Sequence, residues 1–261
     1  MKSSYYKYFA ALLLFGSNGI VASNINLPSY EIVLLRLLLG SLFLITVFTV
    51  SRQRFTFYRN KHTCLYLFIS ASAMGASWML LYEAYQQVGI SIASLAYYCG
   101  PVIVMILSPF LFRETLTWPK IAGFLTVLAG MCLVNLQALD EGKTIWGLFC
   151  GLMSAFMYAL MVTANKKAKP ESGLENSLLQ LVIGSFIVAF VSMQKNFVLS
   201  LTTIDWIPVL LLGLLNTGIG CYLYFSSITD LPVQTVAICG YLEPLSAVVF
   251  SVLFLHEVLL P

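Results

Sequence analysis

The chain has 261 residues, 59% of them hydrophobic and only 10% charged, with a mean hydropathy of +0.89. Soluble domains carry roughly a quarter of their residues as charges, so this composition excludes a soluble fold and turns the question to membrane spans. A net charge of +3, dispersed along the chain, offers no footing for nucleic acid.

A helix needs about 20 apolar residues to cross a bilayer core. Nine segments qualify: 8–25, 30–50, 64–86, 91–112, 117–137, 144–165, 174–194, 205–228 and 232–255. The first follows Lys2 and Lys7 and ends in small residues near Ser23, the outline of a signal peptide. Eight further spans, and a counterpart for it around Trp146 to Asn165, mark it instead as an uncleaved first helix. Short connections carry nearly all the charge and leave no soluble domain. With the N-terminus in the cytoplasm, the inner segments hold Lys2, Lys7, Arg52, Arg54, Arg59, Lys61, Arg113, Lys120, Lys166, Lys167 and Lys169. The outer ones hold only Lys143 and Lys195, so the positive-inside rule puts the N-terminus inside. The expectation is an all-α, multi-pass protein of the cytoplasmic membrane.

An internal repeat organises these spans. A shift of 143 residues superimposes Gly75 on Gly218, Tyr98 on Tyr241, Pro101 on Pro244, Glu114 on Glu257 and Leu116 on Leu259. A weaker echo relates the stretch from Glu31 to Ser41 to that from Glu175 to Ser185. Pro101 lies in the fourth span and Pro244 in the ninth, so the copies cross the membrane in opposite directions. Inverted repeats of this kind characterise secondary transporters. The expected units are 1–139, with five spans, and 140–261, with four. The second copy stops at Pro261 where the first continues into a fifth span. Either the sequence is truncated or the protein works with nine helices, and truncation is the preferred expectation.

These residues carry a resemblance. Glu31-x4-Arg36, Tyr82-x-Ala84, Pro101 with Phe112-Arg113-Glu114, Leu242-Glu243-Pro244 and Phe254-Leu255-His256-Glu257 together resemble the drug/metabolite transporter superfamily, in its EamA-type members. The resemblance spans essentially the whole chain. It implies ten helices in two inverted five-helix repeats, a central cavity lined by both halves, and secondary transport, often export, of amino acids or other small metabolites.

The residues themselves single out a few candidates. A charge at mid-bilayer costs roughly 2.5–3.5 kcal/mol on insertion scales, so intramembrane ionisable groups usually face the bundle interior and act. Glu243 lies near mid-span, just before Pro244, and a proline frees the carbonyl four residues back, here that of Gly240. An acid there can bind a cation or an amine, or take up a coupling proton. Pro101 is the matching helix break. Arg36 meets a substrate carboxylate or pairs with an acid such as Glu83, pairing being the preferred expectation. Trp78, Tyr98, Tyr241, Asn18 and Asn216 sit near mid-span and are candidates for cavity lining, whereas Tyr97 and Tyr158 read more as interfacial anchors. Glu83, Glu114 and Glu257 read as structural or gating groups.

Other classes find little support. Asp140, Asp205 and Asp230 all fall at span ends, so no intramembrane aspartate pair exists, and there is no GxSxG. The absence of GxxxxGK excludes ATP-driven pumping by this chain. His62 and His256 are far apart and the six cysteines form no CxxC, which argues against a metal site. No cofactor is expected. The expected partners are the bilayer and a small-molecule substrate, with protons the candidate coupling ion and the protein a monomer or homodimer. A receptor or scaffold without transport is the alternative, with an intramembrane enzyme ranked last.

Overall fold

Continuous apolar runs in lipid can satisfy their backbone groups only as helices or closed barrels. The computed structural model describes residues 2–135, 145–193 and 205–255, and among these every regular element is helical. Seven stretches are long and apolar enough to span a bilayer: Tyr30–Val50, Lys61–Gly89, Ile92–Phe112, Ile145–Ala168, Gly173–Met193, Trp206–Ser227 and Val233–Phe254. The first of the nine expected spans is cut in two, as α1 (Lys2–Gly16) and α2 (Asn18–Ser23). The fifth corresponds to α6 (Trp118–Asn135). Phe110, Leu125, Phe186 and Phe190 project outward from the bundle, as lipid-facing side chains must. The protein is a multi-pass membrane protein.

The remaining helices are α3 (Ser29–Val50), α4 (Lys61–Tyr97), α5 (Gly100–Phe112), α7 (Ile145–Ala168), α8 (Gly173–Met193), α9 (Trp206–Leu210), α10 (Gly220–Ser227), α11 (Val233–Cys239) and α12 (Leu242–Leu255). They interleave rather than forming separate halves. α4 packs along α7 and α8, α1 against α10 and α12, and α5 against α7 and α11. The eighth span is α9 and α10 joined by a π-helical stretch, Leu211–Ile219. Within it the Thr217 hydroxyl donates to the carbonyl of Leu212, five residues back, at 2.8 Å.

Three interruptions shape the interior. The third and fourth spans meet at Gly89, whose φ of 78° and ψ of 164° are open essentially to glycine alone. The fourth span then breaks at Tyr98 and Cys99, and the ninth at Gly240 and Tyr241. Those breaks fall at matching repeat positions, with Pro101 and Pro244 in the first turn of the helix that follows. A first-turn proline sits where its missing N–H costs nothing. The Gly240 carbonyl is therefore not left open as expected: it accepts from the Glu243 N–H at 3.2 Å.

Gly89→Ala forces a Cβ into this glycine-only region, a strain of about 1–3 kcal/mol. The purified variant is expected to unfold at lower temperature in detergent than the parent, and an unchanged midpoint would contradict the corner.

Candidate functional site

A cavity of about 680 Å³ opens inside the bundle. Its size is that of a small-molecule site. It is lined by the end of α1, by α2 (Ser23) and the connection after it (Ile25, Leu27), by Arg36 of α3 and by Trp78, Leu81, Tyr82, Tyr85 and Gln86 of α4. Its floor is aromatic, with Tyr97, Tyr98, Tyr158, Tyr224 and Phe225. Glu243, in the first turn of α12, also faces it. Residues 23–27 and Gln86 belong to one end of the bundle, so the cavity runs from mid-bundle to that end.

Arg36 is held firmly. Its Nε donates to the Thr217 hydroxyl at 2.8 Å, and its guanidinium lies 4.6 Å from the Trp78 ring centroid. The π-helical turn and the Leu212 carbonyl fix the Thr217 hydroxyl. The planar cation thus rests on an aromatic face, with terminal nitrogens left for a ligand. Glu83, the pairing partner expected from sequence, accepts from Gln87 at 3.2 Å and is not part of the cavity wall.

Of the other candidates, Asn18, Trp78 and Tyr98 line the cavity with Arg36 and Glu243. Tyr241 and Asn216 do not. The Tyr241 side chain is buried and its hydroxyl donates to the Tyr98 carbonyl at 2.9 Å, tying one helix break to the other. Asn216 Nδ2 reaches the Leu14 carbonyl (2.8 Å), the Ser17 hydroxyl (2.9 Å) and Asn18 Oδ1 (3.0 Å), which bridges the gap between α1 and α2.

The repeat partner of Glu243 is Gly100. A Cβ at Gly100 would lie 2.7 Å from Cδ1 of Tyr158, so the tyrosine ring fills the space an acid would need. Tyr97 and Tyr158, read as interfacial anchors, are instead cavity residues packed edge to face at 5.5 Å. Their mid-span depth was the available signal.

The opposite end of the bundle is tied shut by polar bonds. Glu114 accepts from the N–H groups of Val233 (2.7 Å) and Gln234 (3.0 Å), capping α11. Arg113, at φ 57°, turns the chain out of α5 and delivers Glu114 there. Lys166 Nζ donates to the carbonyls of Ile228 (3.2 Å), Thr229 (2.6 Å) and Leu231. Glu175 accepts from the N–H groups of Thr56 (2.5 Å) and Phe57 (3.0 Å). Sequence reasoning missed Glu175 and Lys166, which lie at span ends where charges are ordinary. Glu257 lies outside the described residues. Among the described residues, no cluster of histidine, cysteine or acidic side chains could hold a metal ion.

Comparison with known proteins bears on the family and the fold. The EamA-like transporter family matches residues 3–136 and 145–261. The uncharacterized transporter YxxF of Bacillus subtilis is 27% identical, over 95% of this chain and 80% of its own length. The threonine/homoserine exporter RhtA of Escherichia coli is 27% identical over 87% of this chain and 74% of its own. For the biotin transporter of Salmonella typhimurium the identity is 20%, over 76% and 67%. A solved crystal structure at 18% identity superimposes with a TM-score of 0.82, over 98% of this chain and 90% of its own, and thereby shares the fold.

Asn216→Ala removes the donor that serves three acceptors around the α1–α2 break. A buried acceptor without a partner costs about 1–3 kcal/mol. The variant is expected to lose thermal stability in detergent, whereas the exposed, lipid-facing Phe186→Leu is expected to lose none. Equal midpoints for the two would contradict the bridge.

Proposed function

The chain belongs to the EamA-like transporter family, and from that premise we propose that it exports a small zwitterionic metabolite of the amino-acid type across the cytoplasmic membrane. One observation carries the reading. A single aromatic-walled cavity holds a fixed guanidinium, Arg36, and a carboxylate, Glu243. A carboxylate and an ammonium on one small molecule match that pair of charges, and the aromatic floor accepts an apolar side chain. The name of one relative, a threonine/homoserine exporter, points the same way.

The sealed end of the bundle carries the connections with Arg52, Arg54, Arg59, Lys61, Arg113 and Lys167. By the positive-inside rule it faces the cytoplasm, so the N-terminus is inside and the cavity opens outward, the state from which an exporter releases its load. Transport proceeds by alternating access. The seal made by Glu114, Lys166 and Glu175 opens as the outer cavity closes, and substrate binding at Arg36 and Glu243 couples the two. Glu243 also takes up the coupling proton, as the one acid in the cavity wall among the described residues. Substrate and proton then compete for one group, which prevents both leaving together.

Reconstituted protein tests this. A panel of amino acids is assayed for counterflow in proteoliposomes. Glu243→Ala is expected to abolish all transport, and undiminished counterflow in that variant would sink the assignment. Glu243→Gln, which cannot lose a proton, is expected to retain exchange but to lose net transport driven by a pH gradient. Arg36→Lys keeps the charge but loses the planar stack on Trp78, and at least a tenfold rise in KM for a carboxylate-bearing substrate is expected, corresponding to about 1.4 kcal/mol.

A further inference from the structure

The sealed half of the bundle contains a buried polar cluster that none of the assigned roles uses. Ser70 of α4, Asn165 of α7 and Asn176 and Gln180 of α8 are completely buried. Gln180 Nε2 donates to the Ser70 hydroxyl at 2.9 Å, and the two asparagines exchange hydrogen bonds at 2.9 and 3.1 Å. Asn176 also donates to the Phe225 carbonyl at 3.0 Å. Polar groups at membrane depth are costly, and interhelical packing is the ordinary reason for keeping them.

The repeat supplies a more specific reason. In the register that aligns Glu31 with Glu175, Ile32 corresponds to Asn176 and Arg36 to Gln180. In the register that aligns Gly75 with Gly218, Trp78 corresponds to Cys221 and Tyr82 to Phe225. Ile32, Arg36, Trp78 and Tyr82 all line the open cavity. Their four counterparts are each no more than 2% exposed, although Cys221 and Phe225 also touch the cavity floor. The cluster is therefore built on inverted copies of two cavity-wall residues, Asn176 and Gln180, closed up and joined by Ser70 and Asn165. It lies directly behind the seal, because Asn165 precedes Lys166 and Asn176 follows Glu175.

We propose that the Ser70–Asn165–Asn176–Gln180 cluster is the collapsed cytoplasmic half of the translocation path, a second vestibule that binds the polar end of the substrate when the seal opens. This rests on the transporter reading above. The two vestibules differ in chemistry. The outer wall presents a guanidinium, whereas the inner wall presents neutral amides at the matching positions, with Gln180 in the place of Arg36 and the Ser70 hydroxyl bonded to it. Substrate carboxylate is thus received from the cytoplasm by hydrogen bonds without a fixed charge, and meets the cation of Arg36 deeper in the path.

Site-resolved labelling with N-ethylmaleimide tests the proposal on the full chain in membrane vesicles, read by peptide mass spectrometry so that the native cysteines remain. Ser70→Cys reports on the cluster with a near-isosteric change, and Gln180→Cys is a second position should the first not fold. Gly19→Cys reports on the outer cavity, which Gly19 lines and where a Cβ meets nothing within 4 Å. Each is compared with and without Glu114→Gln, which weakens the cap on α11. With the seal weakened, labelling at residue 70 is expected to rise roughly tenfold and labelling at residue 19 to fall. Loss of reactivity at residue 19 with residues 70 and 180 still protected would show a protein that alternates without using the cluster. That result overturns this proposal and leaves the transporter reading standing. No change at either end overturns the proposal together with the gating role of Glu114.

Discussion

Breaking a helix inside a bilayer exposes backbone groups that no water will satisfy, and the rest of this structure depends on how those groups are met. The gap between α1 and α2 is bridged by Asn216 from the π-helical stretch. The break at Tyr98 is met by the hydroxyl of Tyr241, from the equivalent break 143 residues later. In both cases the partner comes from the other half of the chain. The interruptions that create the cavity are therefore also what joins the repeats, and neither half can present the site alone.

Duplication also explains why the site is asymmetric. Two copies of a helix break offer two equivalent first-turn positions, but only one holds an acid. At the other, Gly100 leaves room for the Tyr158 ring, which packs on Tyr97 while its hydroxyl lies 3.3 Å from that of Tyr224. Two carboxylates facing one apolar cavity would repel each other and need two cations. A single acid and a single stacked guanidinium instead share the wall of one cavity, and their charges balance.

Much of this was legible in the sequence, because bilayer physics writes itself into composition. The helical, multi-pass class and the repeat follow from hydropathy and self-similarity, and Glu243, Arg36, Trp78, Tyr98 and Asn18 stand out as polar or aromatic groups at mid-span. What the sequence hid depends on contacts between distant segments. Asn216 and Tyr241 have the same depth and chemistry as cavity residues, yet their polar atoms are turned to backbone carbonyls. Glu175 and Lys166 look like ordinary span-end charges until the fold brings helix termini against them. The break at Ser17 carries neither proline nor a positive-φ glycine, so periodicity alone reads through it.

The seal itself suggests why such a protein can switch at all. In lipid, apolar surface gains little by leaving its surroundings, so helix–helix contacts contribute little directional preference for one packing over another. The balance between states falls to a few polar bonds at the ends. Moving a two-state equilibrium from 1:99 to 99:1 takes about 5.5 kcal/mol. Hydrogen bonds to charged groups are each worth about 1.5–3 kcal/mol, and less where water reaches them, as it does at the partly exposed Glu114 and Lys166 but not at the buried Glu175. Glu114, Lys166 and Glu175 make several such bonds, and apart from the one from the Thr56 hydroxyl to Glu175 these are with backbone groups at or beside helix ends. Backbone partners matter here. A side-chain partner is lost by one mutation, but a helix end is always present, and its N–H or C=O groups return to water when the end moves away. Bonds of this number and size are enough to bias a bundle between two packings without locking it in one.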